Sequence, residues 1–194
     1  MKTLFAIGAL AALSGLAQGG IFFEFESNDT IATANDLGSI TDPGGSILVD
    51  GTITPGDPAS DAAGDVDWFA ISFNGTTDLV VSIFSLTDPA NDDSMLMLVD
   101  GDGTTILAFD DDDGIEYMSS FQVFDLSAGT YYIGVSGYPD SDGTTLFDGY
   151  SQFDGSPITE NFAYKLLIGA NVVPAPAGVA MFGLAGLAGL RRRR

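Results

Sequence analysis

The sequence predicts an all-β protein, a jelly-roll-like antiparallel β-sandwich of about eight strands, set between an N-terminal signal helix and a C-terminal hydrophobic helix. Three observations predict it. Short runs rich in Val, Ile, Phe, Tyr and Thr recur through the middle of the chain, separated by clusters of Gly, Asp, Asn and Pro. Several runs alternate with a period of two: Trp68, Ala70 and Ser72 oppose Phe69, Ile71 and Phe73, and Leu79, Val81 and Ile83 oppose Val80, Ser82 and Phe84. Finally, 194 residues that are 45% hydrophobic, with 14 Phe, 6 Tyr and 1 Trp, supply one core and are too few for two ordinary domains.

Taken in order, residues 1–19 read as a secretory leader: Met1-Lys2, an apolar stretch from Leu4 to Leu13, and small residues at Gly15, Ala17 and Gly19, with cleavage after Ala17 or after Gly19. The sandwich domain is expected over 22–170. Its one helix candidate, 30–36, has Asn28 and Asp29 as caps and Gly38 as its stop. Strands are expected at 47–53, 66–73, 78–85, 95–99, 105–109, 121–126, 131–135 and 162–168, with Asn74-Gly75, Asp100-Gly101-Asp102-Gly103 and Asp113-Gly114 as turns. Segment 139–160 is polar, Gly-rich and poor in strand formers, and reads as a long surface loop. Residues 173–194 form a tail. In it Val173-Pro174-Ala175-Pro176 precedes 14 apolar residues and then Arg191, Arg192, Arg193 and Arg194. Fourteen helical residues span roughly 21 Å, short of a hydrocarbon core of about 30 Å, which suits a temporary anchor with the arginines on the cytoplasmic side.

Charge narrows the chemistry. The formal charge is −21, but Lys2 lies in the leader and the four arginines in the tail, so residues 20–173 hold 27 acids against one base, Lys165, a net −26. Such a surface disfavours nucleic acid, whose phosphates demand Lys and Arg. With no His and no Cys there is no Ser–His or Cys–His nucleophile, no thiolate redox centre and no ordinary zinc or haem ligand set. An exported chain without Cys is one that does not rely on disulfides. Oxygen chemistry remains. Neither Asp-Thr-Gly, Asp-Ser-Gly nor Gly-x-Ser-x-Gly occurs. The aromatics Phe69, Phe73, Phe84, Phe121, Phe124 and Tyr132 are expected in the core. Tyr138, Phe147, Tyr150 and Phe153 are the candidates for touching a partner.

Two resemblances follow from these residues. The Val-Pro-Ala-Pro motif, apolar stretch and Arg cluster of 173–194 resemble the PEP-CTERM sorting signal of bacterial exosortase substrates, with Ala175 where the family has Glu. In the domain, Glu24-x-Glu26-Ser27-Asn28-Asp29-Thr30, Ala34-Asn35-Asp36-Leu37, Gly51-Thr52-Ile53, Asp65-Val66-Asp67-Trp68-Phe69, Leu96-x-Leu98-Val99-Asp100-x-Asp102-Gly103-Thr104 and Leu126-x-Ala128-Gly129-Thr130-Tyr131-Tyr132-Ile133-x-Val135 stand in an order that resembles the bacterial pre-peptidase C-terminal (PPC) domain over residues 22–168. The resemblance implies a β-sandwich without catalysis of its own, appended to secreted proteases or found on surface proteins.

Calcium is the cofactor this composition supports, since Ca²⁺ takes six to eight oxygens and Asp, Glu and Asn supply them. Glu24, Glu26 and Asn28 fall on one side of an extended strand with Asp29 at its end. Their spacing resembles the calcium-binding segment of collagenase members of the family. That resemblance implies further ligands just before 66–73: Asp67, with Asp65 or Asp61 as looser choices. A second candidate is the run Asp110-Asp111-Asp112-Asp113 with Asp100 and Asp102, although the EF-hand spacing fails at Phe109 and Ser120.

The expected protein is therefore a non-enzyme of the cell surface or extracellular matrix of a Gram-negative bacterium. Its partners would be an exosortase-type sorting enzyme, an exopolysaccharide or another surface protein, and transiently the inner membrane. The competing classes are a polysaccharide-active enzyme using paired carboxylates and an accessory partner or inhibitor of a secreted protease.

Overall fold

Ten strands carry the fold: β1 (Gly20–Phe23), β2 (Asn35–Ile40), β3 (Pro43–Ile53), β4 (Asp67–Phe73), β5 (Gly75–Ser85), β6 (Ser94–Val99), β7 (Ile106–Asp110), β8 (Ser120–Leu126), β9 (Gly129–Gly137) and β10 (Phe162–Pro174). They belong to a computed structural model that describes residues 20–56, 64–138 and 160–174. One sheet has the order β1-β3-β10-β5-β8, the other β2-β4-β9-β6-β7, and the two pack as a sandwich. Both sheets and the whole core described below lie within residues 20–174.

The alternation read from sequence decides the packing. Val49, Leu79, Val81, Ile83, Leu166 and Ile168 point inward from the first sheet, where Phe69, Ile71, Leu96, Leu98, Ile133 and Val135 meet them from the second, all at most 1% exposed. Strand β6 is buried along its whole length, Ser94–Val99, which is why it reads as an unbroken apolar run instead of an alternating one. The paired registers are long where the core is deepest: β10 runs antiparallel between β3 and β5 for nearly its full length.

The all-β sandwich is as expected; several details are not. Two edge strands, β1 and β2, raise the number to ten, and they pair parallel to β3 and β4 while the other pairings are antiparallel. The expected helix 30–36 reduces to one turn of 3-10 helix, Ile31–Thr33, because Asn35 onward is drawn into β2 beside β4. Its N-cap is Thr30, so neither Asn28 nor Asp29 serves that purpose. Phe69, Phe73 and Phe121 are core residues, but Phe84 and Phe124 lie on the outer side of the first sheet, 36% and 65% exposed. Strand β10 continues past 168 to Pro174, so Val173 and Pro174 pair with Thr76 and Gly75 of β5. The leader, Asp61, the loop 139–159 with Phe147, Tyr150 and Phe153, and the tail from Ala175 to Arg194 with Pro176 lie outside the described residues. Tyr138 is half-buried against the core.

Candidate metal centre

Two stretches about forty residues apart in sequence meet at one end of the sandwich. The first leaves β1 and crosses from the first sheet to the second. Glu24 extends the pairing of β1 with β3 by donating its backbone N–H to the Asp50 carbonyl (3.0 Å). The Asn35 side chain then clamps Phe25 at both backbone groups, accepting from its N–H (2.8 Å) and donating to its carbonyl (2.9 Å). Three residues on, the Asn28 carbonyl accepts the Trp68 N–H (3.0 Å), which ties the crossing to β4. The second stretch is the foot of β4, where the Asp65 N–H donates to the Thr54 carbonyl (2.9 Å).

These anchors gather Glu24, Glu26, Asp65 and Asp67, each of which offers one carboxylate oxygen within 4.8 Å of all the others. Burial is graded across the group. Asp67 is fully buried and Asp65 nearly so, Glu24 is half-buried, and Glu26 is exposed at the rim. Asn28 is also fully buried, and neither its amide oxygen nor its amide nitrogen has a hydrogen-bond partner. The same holds for Asp67 Oδ1 and Glu24 Oε1. Buried polar atoms are ordinarily satisfied, so orphaned oxygens on Glu24 and Asp67, two members of one carboxylate group, mark a place shaped for something that accepts their lone pairs. Asp29 is exposed, and its charge is felt at Asp65.

The partnered oxygens are held firmly. Glu24 Oε2 accepts the Thr52 N–H (2.7 Å), and Asp67 Oδ2 accepts the hydroxyl of Tyr164 (2.6 Å), reaching across from the first sheet. Tyr164 fits only because residue 51 has no side chain: a Cβ there would fall 2.4 Å from the tyrosine ring and 2.5 Å from Glu24 Oε2. Gly51 thus serves close approach rather than an unusual backbone angle.

Electrostatics agree with this crowding. Burial pushes the Glu24 carboxyl up to about 7, with the neighbouring Glu26 adding to the rise. Asp65 is also pushed up to about 7, first by burial and then by the charges of Glu26 and Asp29. Asp67 rises well above the carboxylate range through burial and then the charge of Glu24. Glu24, Asp65 and Asp67 cannot all ionise here without a cation between them. An all-oxygen set of Glu and Asp carboxylates is the donor type that a hard divalent ion takes.

The second expected candidate is rearranged. Asp111 and Asp112 group with Asp93, from the β5–β6 connection, a residue that no motif or spacing singles out. Asp110 instead caps its own turn, accepting the N–H groups of Asp113 (3.1 Å) and Ser120 (2.7 Å). Asp100 and Asp102 are apart from the group, in the β6–β7 turn. There Asp102 accepts both backbone and hydroxyl hydrogens of Thr105, which hold it down at about 2. The Asp-x-Asp-Gly-Thr-Thr pattern at 100–105 is therefore turn chemistry.

Two clefts are relevant. One, of about 270 Å³, opens beside the carboxylates, with Phe23, Glu24, Glu26, Asp50, Thr52 and Ala163 around it. The other lies between the edge strands β1 and β2, walled by Phe22, Leu37, Ile40 and Ile47, with Asp42 as its one carboxylate, and offers little for a cation.

Residues 65–137 match the sequence model of the bacterial pre-peptidase C-terminal domain. The match begins at Asp65, so it takes in Asp65 and Asp67 and leaves Glu24, Glu26 and Asn28 outside. No curated protein matches the chain. Among solved structures it is similar to the pre-peptidase C-terminal domain of a collagenase from Bacillus anthracis, at 14% identity over 70% of this chain and 93% of that one, with a TM-score of 0.43. It is similar also to a periplasmic inhibitor of g-type lysozyme from Aeromonas hydrophila, at 11% identity over 79% and 98%, with a TM-score of 0.40. A third is a carbohydrate-binding module of lichenase 5A from Cellvibrio mixtus, at 14% identity over 64% and 87%, with a TM-score of 0.28. The sequence match thus runs from the foot of β4 to the end of β9, and over those residues the chain is similar to that family.

Proposed function

We propose that this chain is an exported cell-surface or extracellular-matrix protein whose sandwich is a non-catalytic binding or structural module stabilised by Ca²⁺. Glu24, Glu26, Asn28, Asp65 and Asp67 would hold the ion, with Asp29 at the rim. One observation carries the metal reading: two distant stretches place four carboxylates within 4.8 Å of one another, and two buried oxygens of the group have no partner. A cation supplies what those atoms lack, and it links the crossing after β1 to the foot of β4. Calorimetry on residues 20–174 tests it. Ca²⁺ should bind with about one ion at this site, and saturation at ~100 times the dissociation constant should stabilise the fold by about 2.7 kcal/mol over EDTA. An unchanged melting temperature would reject the metal.

The tail supports the delivery half of the proposal. Val173, Pro174 and Pro176, the apolar stretch and Arg191 to Arg194 would be read by an exosortase-type enzyme at the inner membrane of a Gram-negative cell. Since β10 ends at Pro174, removal of 175–194 spares both sheets. That truncation should leave the domain folded and misdirect it; unchanged surface delivery would count against a sorting role. An exopolysaccharide or another surface protein is the partner class that fits such a location.

A further inference from the structure

The outer side of the first sheet gathers apolar side chains on an otherwise acid-rich chain. Side chains alternating outward from β1, β5, β8 and β10 include Ile21, Phe23, Val80, Phe84, Leu167 and Phe124, each between 36% and 65% exposed. Register places them side by side. Ile21, Leu48, Leu167 and Ser82 form one row across four strands, and Phe23, Asp50, Lys165 and Phe84 form the next. In the second row Lys165 and Asp50 make an ion pair. Lys165 is the only base among the 27 acids of residues 20–173, so it neutralises the carboxylate at the centre of the apolar face.

We propose that this face binds a second copy of the chain, giving a two-fold dimer in which the two outer faces pack sheet on sheet. Charge selects the occupant. A basic partner would be drawn to the acid-rich surfaces elsewhere, whereas a second molecule of net −26 can approach only where acids are few or neutralised. The Lys165–Asp50 pair is its own electrostatic complement under a two-fold axis, because Lys165 of each copy can meet Asp50 of the other. Asp78, also outward on β5, lies at the far end of the face beside Asn171 and accepts the Asp125 N–H. Size agrees as well. Five strands about 4.8 Å apart, over some eight residues of ~3.4 Å, cover on the order of 700 Å², near the ~800 Å² each partner gives to an interface of standard size. Alternating apolar side chains on a twisted sheet are also the surface that aligned sheet packing uses.

Sedimentation equilibrium of residues 20–174, in Ca²⁺ and again in EDTA, tests this independently of the metal. A concentration-dependent doubling of mass is expected, strengthened by added salt as like charges are screened. Leu167→Glu should raise the dissociation constant at least about tenfold with an unchanged circular dichroism spectrum. Val80→Glu serves in its place if the first variant does not fold. Lys165→Asp should weaken the dimer and Asp50→Lys in the same chain should restore it. A monomer at every concentration overturns the proposal, as does a dimer indifferent to both Glu variants. Flotation of the monomer with phosphatidylcholine vesicles would assign the face to lipid and overturn it too.

Discussion

The two acidic groups differ less in charge than in how they are built. Glu24, Glu26, Asp65 and Asp67 come from two separate stretches, with Asp67 fully buried at the bottom of the group and Tyr164 and Gly51 shaping it from the opposite sheet. Asp93 and Asp111 are half-buried and Asp112 exposed; they too come from two stretches, the β5–β6 connection and the segment after β7, and Asp93 Oδ1 and Asp111 Oδ1 are likewise buried without a partner. Each group has crowded carboxylates whose ionisation is resisted: burial lifts Asp93 to about 7 and Asp111 to about 6. What separates them is a second layer that orients the ligands. Both groups converge from separate stretches; a fully buried Asp67 held by the Tyr164 hydroxyl is what sets the first apart.

The sharpest break of that contrast is Asp67→Asn. It should abolish Ca²⁺-dependent stabilisation, a loss of about 2–3 kcal/mol at saturating ion. In EDTA the variant should match the parent, because burial already holds the metal-free Asp67 carboxyl in its neutral form and the amide is a neutral near-isostere. Thermal melts with and without Ca²⁺ read both outcomes, and a parental Ca²⁺ shift in the variant would erase the distinction. Tyr164→Phe deletes only the hydroxyl that fixes Asp67 and should weaken Ca²⁺ about 10–100-fold by calorimetry, with the EDTA fold intact. Gly51→Ala should cost about 1–3 kcal/mol in urea unfolding, since the new methyl meets the Tyr164 ring and the Glu24 carboxylate.

Titration sharpens the comparison further. Glu24 and Asp65, whose ordinary values are 4.5 and 3.8, sit at about 7 in the folded metal-free chain. The folded state therefore holds protons that the unfolded state has released. Stability from these groups is full below pH ~4 and lost as pH rises toward 7. Metal-free urea midpoints should fall across that window. Ca²⁺ should suppress the part due to Glu24 and Asp65, leaving the slope that Asp93 and Asp111 contribute. The smallest effect belongs to Asp112→Asn, expected within about 0.5 kcal/mol and without change in the Ca²⁺ isotherm. A lost calorimetric transition there would raise the second group to a site of its own.

Much of this fold is legible because alternation and turn residues are local signals. Strands β4 and β5 fall within a few residues of where their side chains place them. Alternation alone could not choose the inner face of β5, however, since Val80 and Phe84 are as apolar as Leu79 and Ile83; only pairing decided it, and Phe84 faces out. Strands β1 and β2 were illegible for a related reason. Asn35–Ile40 has weak strand propensity and forms by parallel pairing with β4, which no local window contains. The same limit applies to the site. Glu24, Glu26, Asn28, Asp65 and Asp67 were legible through spacing and resemblance, while Tyr164, Gly51 and Asn35 were not. Their parts depend on which strands lie opposite, and Asp93 joins its partners through a loop of no distinctive pattern.

The position of β10 has a mechanical consequence. It lies between β3 and β5, antiparallel to both, and ends at Pro174, where the chain goes on toward its tail. Tension applied through that end runs along the strand, at right angles to its hydrogen bonds, so the two flanking ladders must slide together before any bond can peel. A domain tethered there meets drag from its surroundings at its most resistant strand, and the edge strand β1, at the other end of the described chain, carries no part of that load.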